Sequence, residues 1–376
     1  MKPTSGLDQK WGDYKMTPLL VEQIRTYYRQ VAETTETPSN AVVLRTPGGT
    51  ATRAVVIAER PIPIHDLRDL GQYEITPHTY EEVTSRWLRE KAPQTIRSLQ
   101  AAKLSRSILI EVEGLVPNSI QPNTPLDGVV DEREVKAHLV ALTGAFTENL
   151  NLVGFAYSGE NYGRLLRAVA PVQRLSTQAS SQGFANDLGW HQDNADRTLP
   201  GCESILKDQG PMNSFQAFAV VTPSPIVPME ILALDDLIAE IIYECGEEVI
   251  AQLEKPQFTI RGPDSHEGRS VVVNAPILVR DKQGNYHGRF HSNNITSSSL
   301  PGQWAIEQFY RISHSSKCIM EVQSKPGSLI IYSNTRVLHR RRKYTPRLDR
   351  RDRYYIRLYL TDRRIIRLYQ GHRVLS

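Results

Sequence analysis

The chain has 376 residues, of which 40% are hydrophobic and 23% charged, and a formal net charge of +4. That is the composition of a globular protein able to bury a large core, and no apolar run approaches the roughly 18 residues of a membrane-spanning helix. Three widely spaced cysteines, Cys202, Cys245 and Cys318, with no CxxC pair, argue against a zinc site or a disulfide framework. The opening MKPTSGLDQKWGDYK lacks the apolar centre of a signal peptide, so the expected location is cytoplasmic.

In chain order, residues 17–35 carry Leu20, Ile24 and Tyr27 or Tyr28 at helical spacing after a Thr-Pro start, which predicts an amphipathic helix. Two β-rich runs, 41–46 and 53–59, flank the turn Pro47-Gly48-Gly49. Thr79 with Glu82 resembles a capping box that opens a helix reaching about Lys103. A strand at 107–115, a proline-rich loop at 116–128 and a helix at 131–150 follow. Beyond them β signals dominate in NLVGFAY, LGWHQD, FQAFAVVT, RSVVVNAPILVRD, GSLIIYS and RYYIRLYLT, with helical interruptions near 234–255 and 302–312. The outline is a single domain, mainly β with flanking helices: an N-terminal helical and β layer over 1–150 packed on a largely antiparallel core over 151–376.

The charge is uneven. Residues 336–373 hold thirteen Arg and one Lys against three Asp, so this segment is strongly basic and the remainder acidic. Such a segment serves nucleic acid, a pocket for carboxylates, or a solvated strand face. On the run RDRYYIRLYL, Arg353, Tyr355, Arg357 and Tyr359 share one strand face, while Tyr354, Ile356, Leu358 and Leu360 share the other. Periodicity alone leaves two readings open: arginines in water, or arginines in a pocket where guanidinium forks bind anions.

In WHQD, His191 and Asp193 lie two apart, so a strand presents both to one metal. A second histidine from a distant strand completes the two-His, one-carboxylate triad that leaves open positions on Fe(II) for a cosubstrate and O2. An HxD pair without such a partner is most often an ordinary surface or core pair. Of the candidates, His65 lies between prolines, His138 falls on a predicted helix, and His287 and His291 have no anion site after them. His339 ends a β-rich run and precedes the turn at Thr345-Pro346, and the returning strand carries the arginines.

The run HRRRKYTPRLDRRDRYYIRLYL resembles the C-terminal signature of the clavaminate synthase-like Fe(II)/2-oxoglutarate oxygenases, relatives of taurine dioxygenase. In register with that signature stand His339, the Tyr344-Thr345-Pro346-Arg347 segment, Asp349, Arg353 fourteen residues after the histidine, and Arg357 four later. PVQRLSTQASSQGFANDLGWHQD is similar to the segment leading into the family's HxD or HxE, and PGSLIIYSNTRVLH matches its distal-histidine strand at all positions but one. Over about residues 145–365 the resemblance implies a double-stranded β-helix, or jelly roll, with iron at His191, Asp193 and His339 and the distal carboxylate of 2-oxoglutarate on Arg353. It implies Arg357 on a substrate carboxylate, Ser181 in the substrate pocket and Glu160 facing a substrate amino group. The family's usual cosubstrate-holding Thr falls at Met229, which leaves Thr222 as the candidate hydroxyl.

Other departures are Ser328 in place of the family's frequent Asp, about ten extra residues around RTLPGCESIL read as a lid or longer loop, and no acidic residues in YHGRFHSNNI to hold a guanidinium. Retention of Asp193 argues against halogenation. The activity so implied is hydroxylation of an unactivated C–H bond in a small-molecule substrate, a free or carrier-tethered L-amino acid, in specialised-metabolite (antibiotic) biosynthesis. An oxygenase acting on nucleic acid and a non-catalytic jelly-roll binding protein are the competing readings. The first is weakened because aromatic residues for stacking are not clearly interleaved along an exposed groove.

Overall fold

The strand predicted at the C-terminal end of the chain, β17 (Tyr354–Asp362), is central to the architecture and is buried along both faces. In the computed structural model, which describes residues 40–72, 77–199, 210–224, 226–263, 270–368 and 372–375, β17 pairs antiparallel with β7 (Phe215–Thr222), β4 (Leu152–Tyr157) and β5 (Leu166–Val169). These strands belong to a nine-stranded sheet that continues through β15 (Leu329–Ser333) to β3 (Leu109–Glu113), β2 (Thr52–Ile57) and β1 (Ala41–Arg45), with β18 (Val374–Leu375) at the other edge. The pairings β2/β3 and β4/β18 are parallel; the other pairings in this sheet are antiparallel.

Opposite lies a four-stranded antiparallel sheet ordered β14 (Met320–Val322), β8 (Met229–Ala233), β16 (Val337–Arg341) and β6 (Leu188–His191). Side chains of both sheets share one apolar cluster: Phe218, Val220, Ile330, Tyr332 and Tyr355 from the large sheet, and Ile231, Ala233, Met320 and Val337 from the small one. Two smaller sheets complete the strands, β10 (Val271–Ala275), β9 (Phe258–Arg261) and β13 (Ile295–Ser297) in one, and β11 (Leu278–Arg280) with β12 (Tyr286–Gly288) in the other.

Helices cover the outer faces. α1 (Pro77–Lys91), α2 (Pro93–Leu104) and α3 (Lys136–Phe146) share a core cluster with Tyr354, Ile356, Leu358 and Leu360, so the apolar face of β17 packs outward against them. α4 (Leu234–Cys245), α5 (Glu247–Leu253) and α6 (Leu300–Ser315) pack on the small-sheet side with Trp190, Leu232 and Leu338. α7 (Arg363–Leu368) follows β17. Among the described residues no helix is long and apolar enough to cross a membrane.

Local chemistry sets the boundaries. The helix expected over Thr79–Lys103 is two helices, because Pro93 cannot donate to the preceding turn and begins a new helix instead. The first helix starts at Pro77, two residues ahead of the expected cap. Pro276 divides the long run 269–281 into β10 and β11. α4 and α5 are separated at Gly246, whose φ of 83° suits a residue without a side chain. Asp236, buried at the start of α4, accepts backbone hydrogen bonds from Gly48 at 3.1 Å and Thr50 at 3.0 Å, which ties the N-terminal hairpin to the small-sheet side. The helix expected at 17–35 lies outside the described residues, as do Cys202 and residues 200–209 of the insertion; Cys245 and Cys318 are free thiols.

His138 on α3 is fully buried, and neither ring nitrogen has a hydrogen-bond partner. Burial pulls it down to about 4, against an ordinary value of 6.5. Between these values the unfolded chain binds a proton that the folded chain refuses, so this contribution is complete above pH 6.5 and is lost as pH falls towards 4. His138→Leu is expected to remove on the order of 2–3 kcal/mol of acid destabilisation over that range, read as a flatter dependence of the denaturation midpoint on pH.

Candidate metal centre

β6 and β16 are direct antiparallel neighbours, and their register sets His191 opposite His339. The two imidazole centroids are 4.0 Å apart. Asp193 follows β6 by two residues and returns to the same face, placing its Oδ1 3.3 Å from His191 Nε2 and 3.7 Å from His339 Nε2. One donor atom from each of the three residues lies within 4.8 Å of the others. Two imidazole nitrogens and one carboxylate oxygen on one side of a point suit a divalent transition metal with open positions.

The groups behind these donors orient them. His191 Nδ1 lies 2.8 Å from the carbonyl of Gly189, which assigns the proton to Nδ1 and leaves the Nε2 lone pair directed at Asp193. Burial and the neighbouring His191 hold His339 well below the ordinary histidine range, so it is neutral, the form that ligates metals. Burial pushes the Asp193 carboxyl up, but its contact with His191 and the charge of Arg357 outweigh this and hold it well below the usual carboxylate range. Asn334, fully buried, brackets Asp193: its Oδ1 accepts from the Asp193 N–H at 3.0 Å and its Nδ2 donates to the Asp193 carbonyl at 2.9 Å. The donor set and its support therefore fit an Fe(II)-type ion.

Around the three residues opens a cavity of about 890 Å³, counting its mouth. Arg353, Arg357, Tyr355 and Tyr359 all line it, so the polar face of β17 points between the sheets and not into water. Arg357 is buried and donates through Nη1 to Asp193 Oδ2 at 3.2 Å and through Nη2 to Glu160. Burial opposes its charge, and Glu160, Tyr359 and Asp193 raise it further above the usual range. Glu160 also accepts from Arg167 at 2.6 Å, and the Tyr359 hydroxyl lies 3.3 Å from Glu160 and 3.2 Å from Asp193 Oδ2. Arg357 and Glu160 thus face each other directly, with Arg167, opposite Arg357 in the β5/β17 register, as a further member.

Arg353 is 8% exposed; its Nη2 donates to the Ser181 carbonyl at 3.1 Å and its Nε is buried without a partner. Among the described residues no carboxylate reaches it, so the cavity holds an uncompensated cation. Ser181 also lines the cavity and has a buried hydroxyl without a partner. Thr222 sits at the end of β7, opposite Tyr354, and is not among the lining residues, whereas Met229 is.

Spacing alone did not reveal several of these residues. The run Arg340 to Lys343 directly after His339 reads in the sequence as solvated charge, but Arg340 stacks 4.4 Å from the Trp190 ring and bonds Glu230 at 2.8 Å, and Arg341 is 5% exposed and lines the cavity. Arg341 shares a face with His339 because β16 continues through it; burial and the charge of Arg353 pull its guanidinium down to about 10. His291 lines the cavity too, with its ring 5.6 Å from that of His191, and burial brings it down to about 3. His287 instead bonds Thr335 at 2.8 Å. The alternation of β16 could have flagged Arg341, but nothing local marks His291 or Arg167.

Because Asn334 satisfies both backbone groups of Asp193, Asn334→Ala is expected to weaken metal binding about 10- to 100-fold, measured by competition with a chromogenic chelator, while the chain stays folded by circular dichroism.

No family model matches the sequence, and no curated protein matches it. Solved structures do. The non-haem iron oxygenase OrfP in complex with Fe, succinate and (3S)-hydroxy-L-Arg superposes with a TM-score of 0.67 at 16% identity, covering 84% of this chain and 99% of that one. OrfP with Fe and α-ketoglutaric acid gives 0.65 at 17% identity over the same shares. Asparagine oxygenase in complex with Fe(II), 2S,3S-3-hydroxyasparagine and succinate gives 0.63 at 18% identity, covering 80% of this chain and 92% of that one. The chain shares the fold of these structures.

Proposed function

We propose that this chain is a single-domain Fe(II)/2-oxoglutarate-dependent oxygenase of the clavaminate synthase-like family, with a jelly-roll core, that hydroxylates a free L-amino acid or a close derivative. The observation that carries the reading is the juxtaposition of His191, Asp193 and His339 with the buried, uncompensated Arg353 in one cavity. A metal triad alone serves many reactions; a triad beside a buried cation lacking an acidic partner calls for an anionic ligand that reaches the metal. The solved structures that share the fold hold iron with α-ketoglutaric acid or succinate and hydroxylated amino acids, which supports the same assignment.

His191, Asp193 and His339 would hold Fe(II) on one face, leaving positions for 2-oxoglutarate and O2. Bound there, iron supplies the oxidation of an unactivated C–H bond as 2-oxoglutarate is converted to succinate and CO2. The protein's part is positioning. Arg353 anchors the distal carboxylate of 2-oxoglutarate with a guanidinium fork whose desolvation the ligand offsets. Arg357 receives the substrate carboxylate and Glu160 the amino group, with Ser181 beside them. Since Arg357 is already bonded to Asp193 and Glu160, the substrate carboxylate exchanges with one of these contacts, and occupancy of the substrate site is felt at a metal ligand. The aromatic and aliphatic walls of Phe218, Val169 and Met229 exclude water from the reacting atoms.

Within the basic C-terminal segment, the arginines nearest the site support a small-molecule substrate over nucleic acid. Arg341, Arg353 and Arg357 point into the cavity, and Arg340 and Arg342 share Glu230, so these residues do not form a free phosphate-tracking face.

Anaerobic titration with Fe(II) and 2-oxoglutarate is expected to show both binding, and aerobic turnover with a panel of L-amino acids is expected to release succinate. Uptake of neither ligand would end the reading. Arg353→Ala is expected to weaken 2-oxoglutarate about 10- to 100-fold with Fe(II) affinity nearly unchanged; equal losses of both would make Arg353 structural.

A further inference from the structure

Apart from Arg261, which is exposed at the rim, the arginines of the cavity divide by their counter-charges. Arg357 and Arg167 bond Glu160, and Arg340 bonds Glu230. Arg341 and Arg353 have no such partner. Both are more than nine-tenths buried, and the Nε of each is buried without a hydrogen-bond partner. Their remaining bonds run to neutral carbonyls, Arg341 to Arg342 at 2.9 Å and Asn186 at 3.3 Å, and Arg353 to Ser181 at 3.1 Å. A carbonyl orients a guanidinium without neutralising it, so two adjacent positive charges remain.

The two groups are neighbours. Their guanidinium carbons lie 5.4 Å and 5.3 Å from the centre of one ring, that of Tyr344. They come from different sheets, Arg341 from β16 and Arg353 from the residue before β17, and line the same cavity as His191, Asp193 and His339. Arg341 lies two residues past His339 on the same strand face, so a ligand that reaches the metal and extends along β16 arrives at it. The small sheet presents no hydroxyl here: Met229, a hydrocarbon and thioether side chain, lines the cavity, and Thr222 does not.

We propose that Arg341 and Arg353 together hold the distal carboxylate of 2-oxoglutarate, Arg341 supplying the second donor group. The assignment rests on the oxygenase reading above and on Arg353 as cosubstrate anchor. Two guanidiniums from opposite sheets close on one carboxylate, and its charge offsets the burial of both.

The test is equilibrium binding without turnover, by calorimetry on the Mn(II)-loaded protein. Two ligands are compared: 2-oxoglutarate, and 2-oxobutyrate, which keeps the oxo-acid end and lacks the distal carboxylate. Arg341→Gln is expected to weaken 2-oxoglutarate 10- to 100-fold and leave 2-oxobutyrate as it binds the parent. Arg341→Lys, which keeps the charge and most of the volume, is expected to lose three- to tenfold for 2-oxoglutarate alone, and it carries the test if the glutamine variant does not fold. Equal losses for the two ligands, or no loss for either, overturn the proposal, as does an unchanged 2-oxoglutarate affinity with weakened amino-acid binding in the same calorimetry, which would move Arg341 to the substrate. A parent that binds 2-oxobutyrate and 2-oxoglutarate equally removes the distal-carboxylate site altogether, and a parent that binds neither removes the oxygenase reading itself.

Discussion

Arg357 joins the two sheets where the chemistry is placed. It rises from β17 in the large sheet, takes Asp193 beyond β6 of the small sheet with one arm, and takes Glu160 beyond β4 with the other. A buried guanidinium without a counter-charge is costly, and two buried carboxylates side by side would repel. Each is held only because the others are present. The network therefore specifies how far apart the sheets sit and how Asp193 is turned, and the position of the metal donors follows from both.

This constraint explains why the surroundings of the triad are polar and yet closed. The Tyr359 hydroxyl, Arg167 and Asn334 complete hydrogen bonds that the network leaves open, and each sits on, or directly after, a strand that apolar packing has already positioned. Behind β17, Tyr354, Ile356, Leu358 and Leu360 press into the helical layer, so the strand cannot shift without exposing that core. Stability is supplied on one face of the strand and function on the other. Against this balanced network, Arg341 and Arg353 stand out as buried arginines of the cavity wall that no carboxylate bonds among the described residues.

The residue pattern carried much of the outcome. Strand periodicity separated the two faces of β17 correctly, the HxD pair and the distal histidine named the triad that comes together, and proline and glycine positions marked most element boundaries. Misreadings came where a local signal competed with a longer-range one. A continuous helical pattern over Thr79–Lys103 concealed the break at Pro93, and the density of arginines around His339 suggested water where Arg341 meets the cavity.

The sequence by itself determined which residues share a face, because alternation in a strand is a property of the backbone and needs no partner. It could not determine what each face meets. Whether Arg353 and Arg357 lie in water or in a cavity depends on a second sheet lying across them, two of whose strands, β6 and β8, come from more than a hundred positions away. Tertiary structure decided that, and with it the distribution of counter-charge: Arg357 bonds Asp193 and Glu160 through loops that follow other strands, while among the described residues no carboxylate bonds Arg341 or Arg353. Counter-charge is a matter of distance in space, and the chain order of these residues does not encode it.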